Sequence, residues 1–211
     1  LEAKAIRAQM NPHFIFNSLN AIQELIITEN YTASYQYLSK FSKLLRLVLN
    51  NSEKNLIRLR NEIEMNQLYL ELESLRFKQS FHYTIRVDEK IDADTVLFPS
   101  LLLQPFIENA IWHGIVPRNS TGHVSLNVAR KNDIIEIAIE DDGIGREASQ
   151  QNRSTSGLVH QSKGVNLTQT RLELNNLLQQ RQARLEVFDK KDQQGNATGT
   201  TVIIKIKEEE S

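Results

Sequence analysis

The spacing of apolar residues changes once along this chain, and that change constrains the fold more than any other feature. Up to about residue 77, apolar residues recur at steps of three and four, which predicts helices. From residue 81 onward they alternate with polar residues, which predicts strands that each bury one face. The five predicted strands are Phe81 to Val87, Val124 to Val128, Ile135 to Ile139, Leu185 to Val187 and Val202 to Ile206.

Two further helices are predicted between these strands, at about residues 100–113 and 165–182. The resulting order β-α-β-β-α-β-β predicts an α+β fold with an antiparallel or mixed sheet and helices on one face. The stretch 146–163 is long for a plain connection, so it predicts a lid.

The N-terminal part of the chain predicts a helical hairpin with a break at residues 28–34. Its apolar stripe is larger than one hairpin can bury, which predicts pairing with a second copy as a four-helix dimer. The stripe consists of Ile15, Leu19, Ile22, Leu38, Phe41, Leu45 and Val48. The polar run 50–55 predicts a hinge, so we expect domains at 1–55 and 56–211. A third helix is expected from about Asn61 to Phe77, with Asn61 or an adjacent residue as its cap and with Glu62 and Glu64 in its first turn.

Composition excludes several classes of function. The 211 residues carry a formal charge of −1 and contain no cysteine. Disulfides, thiolate catalysis and cysteine-ligated zinc are therefore absent, and the charge gives no reason to expect nucleic-acid or anionic-membrane binding. The first residues read as a helix without a start signal, so the chain is expected to be a piece of a longer protein.

One histidine stands in an unusual position, because Pro12 precedes His13 inside a helical apolar pattern. An interior proline costs a helix about 3 kcal/mol or more, so the bend or the exposed imidazole is expected to serve a function. Asn17 lies one helical turn further on. A lone histidine on a helix is usually structural, so this motif gains meaning only together with two others.

The second motif is Leu101 to Gly114, in which helical spacing places Pro105, Asn109 and His113 on one face, with Glu108 on the next. An amide and an imidazole on one face can reach a hydrated magnesium ion and phosphate oxygens together. The alternative is a helix-terminal amide that the backbone satisfies.

The third motif is Asp141-Asp142-Gly143-Ile144-Gly145, at the end of a predicted strand. Glycine at such a turn allows the backbone to approach a planar ligand closely. The alternative is an ordinary surface turn.

The three motifs in this order resemble the H, N and G1 boxes of the LytS-like branch of sensor histidine kinases, over essentially the whole chain. The resemblance implies a Bergerat-type ATP-binding domain of the gyrase, Hsp90, kinase and MutL superfamily at 56–211, after a phosphoacceptor and dimerisation domain at 1–55. It implies a homodimer that uses ATP and Mg²⁺ to phosphorylate His13, then passes the phosphoryl group to an aspartate of a response regulator receiver domain. It also implies the cytoplasmic portion of a bacterial membrane protein anchored upstream.

The resemblance also implies residue roles in the nucleotide site. Asp141 would bind the adenine amino group, and Gly143 and Gly145 would line the adenine pocket. Asn109 would hold magnesium, and His113 would lie near the phosphates.

Four more residues receive roles. Gly164 would support the lid, and Thr201 would face the adenine side through water. Asn17 matches the position that orients a water for dephosphorylating the regulator. Glu108 is a candidate base for His13 on chemical grounds alone.

Two departures from the family pattern keep alternatives open. The second glycine-rich box has Asn166 and Gln169 where Gly-x-Gly-Leu-x-Asn is usual, and Phe14 stands where the wider superfamily has an acidic residue. Two rival interpretations therefore remain: a nucleotide-binding dimeric scaffold, and an ATPase without histidine phosphorylation.

Overall fold

The computed structural model describes residues 12–78, 80–118, 120–146, 148 and 183–207. They form two compact units, the first of residues up to 80 together with 93–104, the second of 81–92 together with residues from 105 onward. The predicted functional division at residue 55 stays a prediction. Among the described residues, none of the helices combines the length and the apolar character needed to cross a membrane.

The described residues of the first unit form three long helices and one small antiparallel pair of strands. Its elements are α1 (Pro12–Ile27), α2 (Tyr31–Ser52), β1 (Leu56–Arg58), α3 (Leu59–Arg76) and β3 (Leu97–Pro99). In the strand pair, Ile57 lies opposite Phe98. The predicted hairpin is α1 and α2, and the two short strands have no counterpart in the prediction, because three residues are too few for a visible alternation.

Aromatic side chains pack α3 against the hairpin. The ring of Phe14 is buried, with its centroid 4.8 Å from that of Tyr69 and 6.1 Å from that of Phe41. The hydroxyl of Tyr37 donates to the buried Ser18 Oγ at 3.4 Å. The helix α3 therefore covers one face of the hairpin in the same chain.

The predicted cap of α3, at Asn61 or an adjacent residue, is wrong. The helix begins at Leu59, and Arg58 occupies the cap position without a side-chain hydrogen bond. The first N–H groups find main-chain acceptors instead, because Leu59 N donates to Val96 O and Arg60 N donates to Ala93 O, each at 2.9 Å. A side-chain cap is unnecessary where neighbouring backbone supplies the acceptors.

The second unit is built on a five-stranded sheet in the order β2-β4-β5-β7-β6. Its strands are β2 (Phe81–Val87), β4 (Gly122–Lys131), β5 (Ile134–Asp141), β6 (Arg184–Lys191) and β7 (Ala197–Lys207). The pair β2 and β4 is parallel and the other pairs are antiparallel. The five predicted strands and the α+β class with a mixed sheet are confirmed.

The helix predicted at 100–113 is wrong in its start and in its type. Leu101 has φ 58°, so helix α4 (Gln104–Asn109) begins later, and a π-helix (Ala110–Ile115) follows it. Val116 N donates to Ile111 O at 2.8 Å, which is the i to i+5 bond of a π-helix. The carbonyl of Gly114 accepts a tertiary hydrogen bond from Ile144, a contact that hydrophobic periodicity cannot predict. The helix predicted at 165–182 lies outside the described residues, as does all of the predicted lid except residues 146 and 148.

Candidate functional site

A buried carboxylate forms the centre of the site in the second unit. Asp141 ends strand β5 and is 5% exposed, and its Oδ1 accepts the N–H of Gly143 at 2.9 Å. Burial raises the pKa of Asp141 to about 6, against the lowering effects of main-chain hydrogen bonds from Gly143 and Thr200 and of the Lys190 charge. A carboxylate accepts several hydrogen bonds, so Asp141 can also accept one from a ligand N–H group.

Glycines bring three chain segments against Asp141. A Cβ at Gly114 would lie 2.8 Å from Asp141 Oδ1, and one at Gly143 would lie 2.3 Å from Gly114 Cα. Gly199 has φ +127°, and a Cβ there would lie 2.0 Å from the Asp141 carbonyl oxygen. No side chain fits at these positions, so the π-helix, the turn after β5 and strand β7 all meet at one carboxylate. Sequence reasoning gave no role to Gly199, nor to Gly114, although Gly114 ends the second motif.

The other predicted residues of this turn and of β7 lie in the same region. Gly145 has φ +77°, and a Cβ there would lie 2.7 Å from Ala197 Cβ at the start of β7. Thr201 is half-buried in β7, opposite Glu140 of β5 and Phe188 of β6. The structure therefore places Gly143, Gly145 and Thr201 on the segments that surround Asp141.

The predicted face of Asn109 and His113 crosses a change of helix type. Asn109 ends α4 and His113 lies within the π-helix, so the α-helical i, i+4 relation does not carry across. Asn109 is exposed, and its side chain makes no capping hydrogen bond. The simplest structural explanation for this amide, a helix cap, is therefore missing. Glu108 and His113 are half-buried, and His113 is the neighbour of Gly114.

The remaining predicted residues of the H box lie in the first unit. His13 and Asn17 are on α1, and the Asn17 amide nitrogen lies 3.1 Å from His13 Nδ1 and 3.3 Å from Nε2. It can therefore donate to whichever ring nitrogen is unprotonated. Phe14 anchors this turn in the core while His13 stays exposed. Gly164, Asn166 and Gln169 lie outside the described residues.

Sequence reasoning missed the burial of the Glu62 carboxyl group. Glu62 is fully buried, and its two carboxylate oxygens accept the N–H groups of Leu101 and Leu103 at 2.9 Å each. Burial raises its pKa to about 7. The sequence placed Glu62 in a first turn for dipole reasons, and nothing in a local pattern indicates partners some 40 residues away.

Comparison with known proteins decides the family. A family model described as histidine kinase matches residues 1–81. The sensor protein LytS of Staphylococcus epidermidis is 33% identical over 149 residues, which is 71% of this chain. LytS of Streptococcus mutans is 31% identical over 208 residues, or 97% of this chain. The chain belongs to the LytS-like sensor histidine kinases.

The chain spans only part of the LytS proteins it matches, 25% of the staphylococcal protein and 34% of the streptococcal one. A solved histidine kinase domain from the blue-light activated kinase of Erythrobacter litoralis is 16% identical, with a TM-score of 0.48 over 93% of this chain and 95% of that one.

Proposed function

We propose that this chain is the kinase core of a two-component sensor, which transfers the γ-phosphoryl group of ATP to His13 and then to an aspartate of a response regulator. The observation that carries the proposal is the buried Asp141 carboxylate with glycine backbones from three segments around it. In a LytS-like kinase this is where the adenine base is expected to bind.

The chemistry around Asp141 fits an adenine ring. Its carboxylate would accept the exocyclic amino N–H of adenine, as a charge-assisted hydrogen bond. The side-chain-free surfaces of Gly143 and Gly145 would admit a flat ring, and Thr201 would contact the base through water. Such a pairing selects adenine over a base that presents an acceptor at the same place.

Residues toward the phosphates fit a magnesium ion that arrives with the nucleotide. Among the described residues, no three His, Asp or Glu side chains gather to hold a metal alone. The exposed Asn109 would contribute one oxygen, phosphate oxygens and water would complete the shell, and His113 would lie near the phosphates. When bound, the ion neutralises charge on the phosphoryl oxygens.

The transfer step uses the exposed imidazole. The unprotonated ring nitrogen of His13 forms a bond to the γ-phosphorus while the bond from phosphorus to the β,γ-bridging oxygen breaks, and ADP leaves with that electron pair. The proton of the other ring nitrogen passes to a base, for which Glu108 remains the candidate on chemical grounds. Asn17 holds the ring on α1 and would later orient a water toward the phosphorylated regulator.

The proposed assembly is a homodimer that docks a receiver domain, in the cytoplasmic portion of a bacterial membrane protein. Three residues of the predicted stripe, Ile22, Phe41 and Val48, are buried within this chain and are not available to a partner. The dimer is supported instead by large apolar side chains of α1 and α2 that the chain leaves exposed. They include Phe16, Leu19, Ile26, Tyr35 and Leu38, at 45–74% exposure.

A labelling experiment tests the proposal. The chain is incubated with γ-labelled ATP and magnesium, then treated with acid or base. A phosphoramidate on His13 is acid-labile and base-stable, and His13→Gln should abolish it while ATP binding persists. Release of labelled phosphate without labelled protein would favour the ATPase, and ATP binding with neither product would favour the scaffold. Either result would overturn the kinase assignment for this chain.

A further inference from the structure

Two consecutive aspartates at the end of β5 have opposite environments. Asp141 points inward and binds Gly143 N, whereas the Asp142 side chain is 40% exposed and has two other partners. Its Oδ2 lies 2.9 Å from Arg118 Nη1, and its Oδ1 accepts the N–H of His123 at 2.7 Å. Only one of these two carboxylates is available to a ligand in the glycine-lined site.

The guanidinium of Arg118 is fixed by several groups. Its Nη1 also donates to the Asp142 carbonyl oxygen, and its Nε donates to Ser120 Oγ at 2.6 Å. Its backbone N–H donates to Ile115 O at 2.9 Å, at the end of the π-helix. Arg118 thus ties the segment that carries Asn109 and Gly114 to the glycine turn that carries Asp141.

The ion pair between Arg118 and Asp142 also bears on the charges that surround Asp141. The charged groups acting on Asp141 are Lys190 of β6, which lowers its pKa, and Asp142, which raises it. Lys190 Nζ also lies 3.7 Å from Glu140, and the π-helix carries the titratable His113 beside Gly114. Arg118 balances the Asp142 charge, and the two oxygens of that carboxylate are taken up by Arg118 and by the N–H of His123.

We infer that Arg118 and Asp142 are positioning residues of the nucleotide site, whose ion pair holds the glycine turn so that Asp141 alone presents its carboxylate to adenine. The inference rests on the proposed function. It assigns Arg118 a task that neither residue type nor motif indicated, since Arg118 follows the N box and Asp142 is the variable position of Asp-x-Gly-x-Gly.

The test compares Arg118→Gln, Asp142→Asn and Arg118→Lys with Arg130→Gln, which makes the same charge change at an exposed position of β4. Two quantities are measured. The affinity for Mg-ATP is measured at pH 8. The pH midpoint of binding is measured with adenosine, because adenosine carries no titrating phosphate. Arg118→Gln should weaken Mg-ATP binding about threefold to tenfold, a range discounted for the partial exposure of the pair. Arg130→Gln should leave both quantities unchanged.

The pH midpoint separates positioning from general stability. Removing the Arg118 charge should shift the midpoint of adenosine binding upward, whereas Asp142→Asn should shift it downward. Arg118→Lys should keep the wild-type midpoint. The double variant, which combines Arg118→Gln with Asp142→Asn, should return close to the wild-type midpoint. A loss of affinity with no shift, or with shifts of the same sign in both single variants, overturns the inference.

Two controls distinguish failure of this inference about Arg118 and Asp142 from failure of the proposed function. If the wild-type chain binds no Mg-ATP, or if Asp141→Asn binds as tightly as wild type, the proposed nucleotide site itself is wrong. If Arg118→Gln lowers the thermal midpoint of unfolding, the double variant of Arg118→Gln and Asp142→Asn replaces it in the comparison of pH midpoints. Its two amide side chains are neutral and can keep a hydrogen bond to each other.

Discussion

The carbonyl oxygen of Gly114 accepts the backbone N–H of Ile144 at 3.1 Å. This bond joins the last part of the N box to the middle of the G1 box, which lie 30 residues apart in the sequence. The two motifs therefore form one structural element, with Asp141 at its centre. A change in either backbone should affect nucleotide binding even when no side chain contacts the nucleotide.

Gly143→Ala tests this backbone contact. The new Cβ would lie 2.3 Å from Gly114 Cα, so the turn must separate from the π-helix. Overpacking of this kind typically costs about 1–3 kcal/mol, or roughly fivefold to more than a hundredfold in affinity for Mg-ATP. Isothermal titration calorimetry would measure the loss.

Gly195→Asn is the matched control, because nothing lies within 4 Å of a Cβ there and asparagine tolerates its φ of +85°. Wild-type affinity in Gly143→Ala would show that the turn does not form part of the site.

Nucleotide binding should depend on pH through Asp141. Its folded-state pKa is raised from 3.8 to about 6, so the free protein carries a neutral Asp141 below that pH. Adenosine affinity should therefore fall as the pH drops through 6, by up to about tenfold per unit. Asp141→Asn should bind about tenfold to a hundredfold more weakly at pH 8 and lose this pH dependence. A wild-type affinity that stays constant from pH 5 to pH 8 would contradict the assignment.

The parts of this site that the sequence predicted share one property, which is that each depends on a local pattern. Alternation identified the strand before Asp141, and the i+4 spacing placed Asn17 beside His13. Three other features are contacts between residues distant in the sequence. They are the hydrogen bond from Ile144 to Gly114 in the π-helix, the N–H groups of Leu101 and Leu103 that donate to Glu62, and the ion pair of Arg118 with Asp142. A local pattern carries no information on which distant backbone group will meet a side chain, so these features required the structure.

Glu62 predicts how stability changes with pH. Its pKa is raised from 4.5 to about 7, so the folded state binds more protons than the unfolded state between these values. Stability should therefore decrease as the pH rises through this window, by up to about 3 kcal/mol. Glu62→Gln removes the titration, and its amide can accept only one of the two N–H groups. The difference in unfolding free energy between wild type and Glu62→Gln should shrink from pH 5 to pH 8.

Urea unfolding at several pH values would measure this difference. The control is Glu64→Gln, the same change at a partly exposed position of the same helix, where the Glu64 carboxylate pairs with Lys43 at 2.6 Å. A difference for Glu62→Gln that does not vary with pH would show that Glu62 keeps one charge state over the whole range.

The exposed apolar face of the hairpin predicts where the proposed dimer forms. Leu38 on α2 is 45% exposed, on the face that α3 leaves open. Leu38→Lys would bury a charge in the interface, so it should weaken dimerisation by at least about tenfold. Gln36→Lys makes the same charge change at an exposed position on nearly the opposite side of the same helix, so it should not. Sedimentation equilibrium would compare them, and an unchanged dimer in Leu38→Lys would place the interface elsewhere.

The contact between Asn17 and His13 predicts a division between two activities. The Asn17 amide lies 3.1 Å from Nδ1, so Asn17→Ala removes one hydrogen bond worth about 1 kcal/mol and should slow labelling of His13 less than about tenfold. If the same amide orients a water, the loss should slow dephosphorylation of a labelled response regulator by a larger factor. Asn20→Ala, at an exposed position one turn further along α1, is the control. The decay of labelled regulator, followed on gels with each kinase variant added, measures the effect. Slower labelling of His13 with an unchanged decay of the regulator would instead place Asn17 in the transfer step, where its amide would hold the ring for attack on the γ-phosphorus.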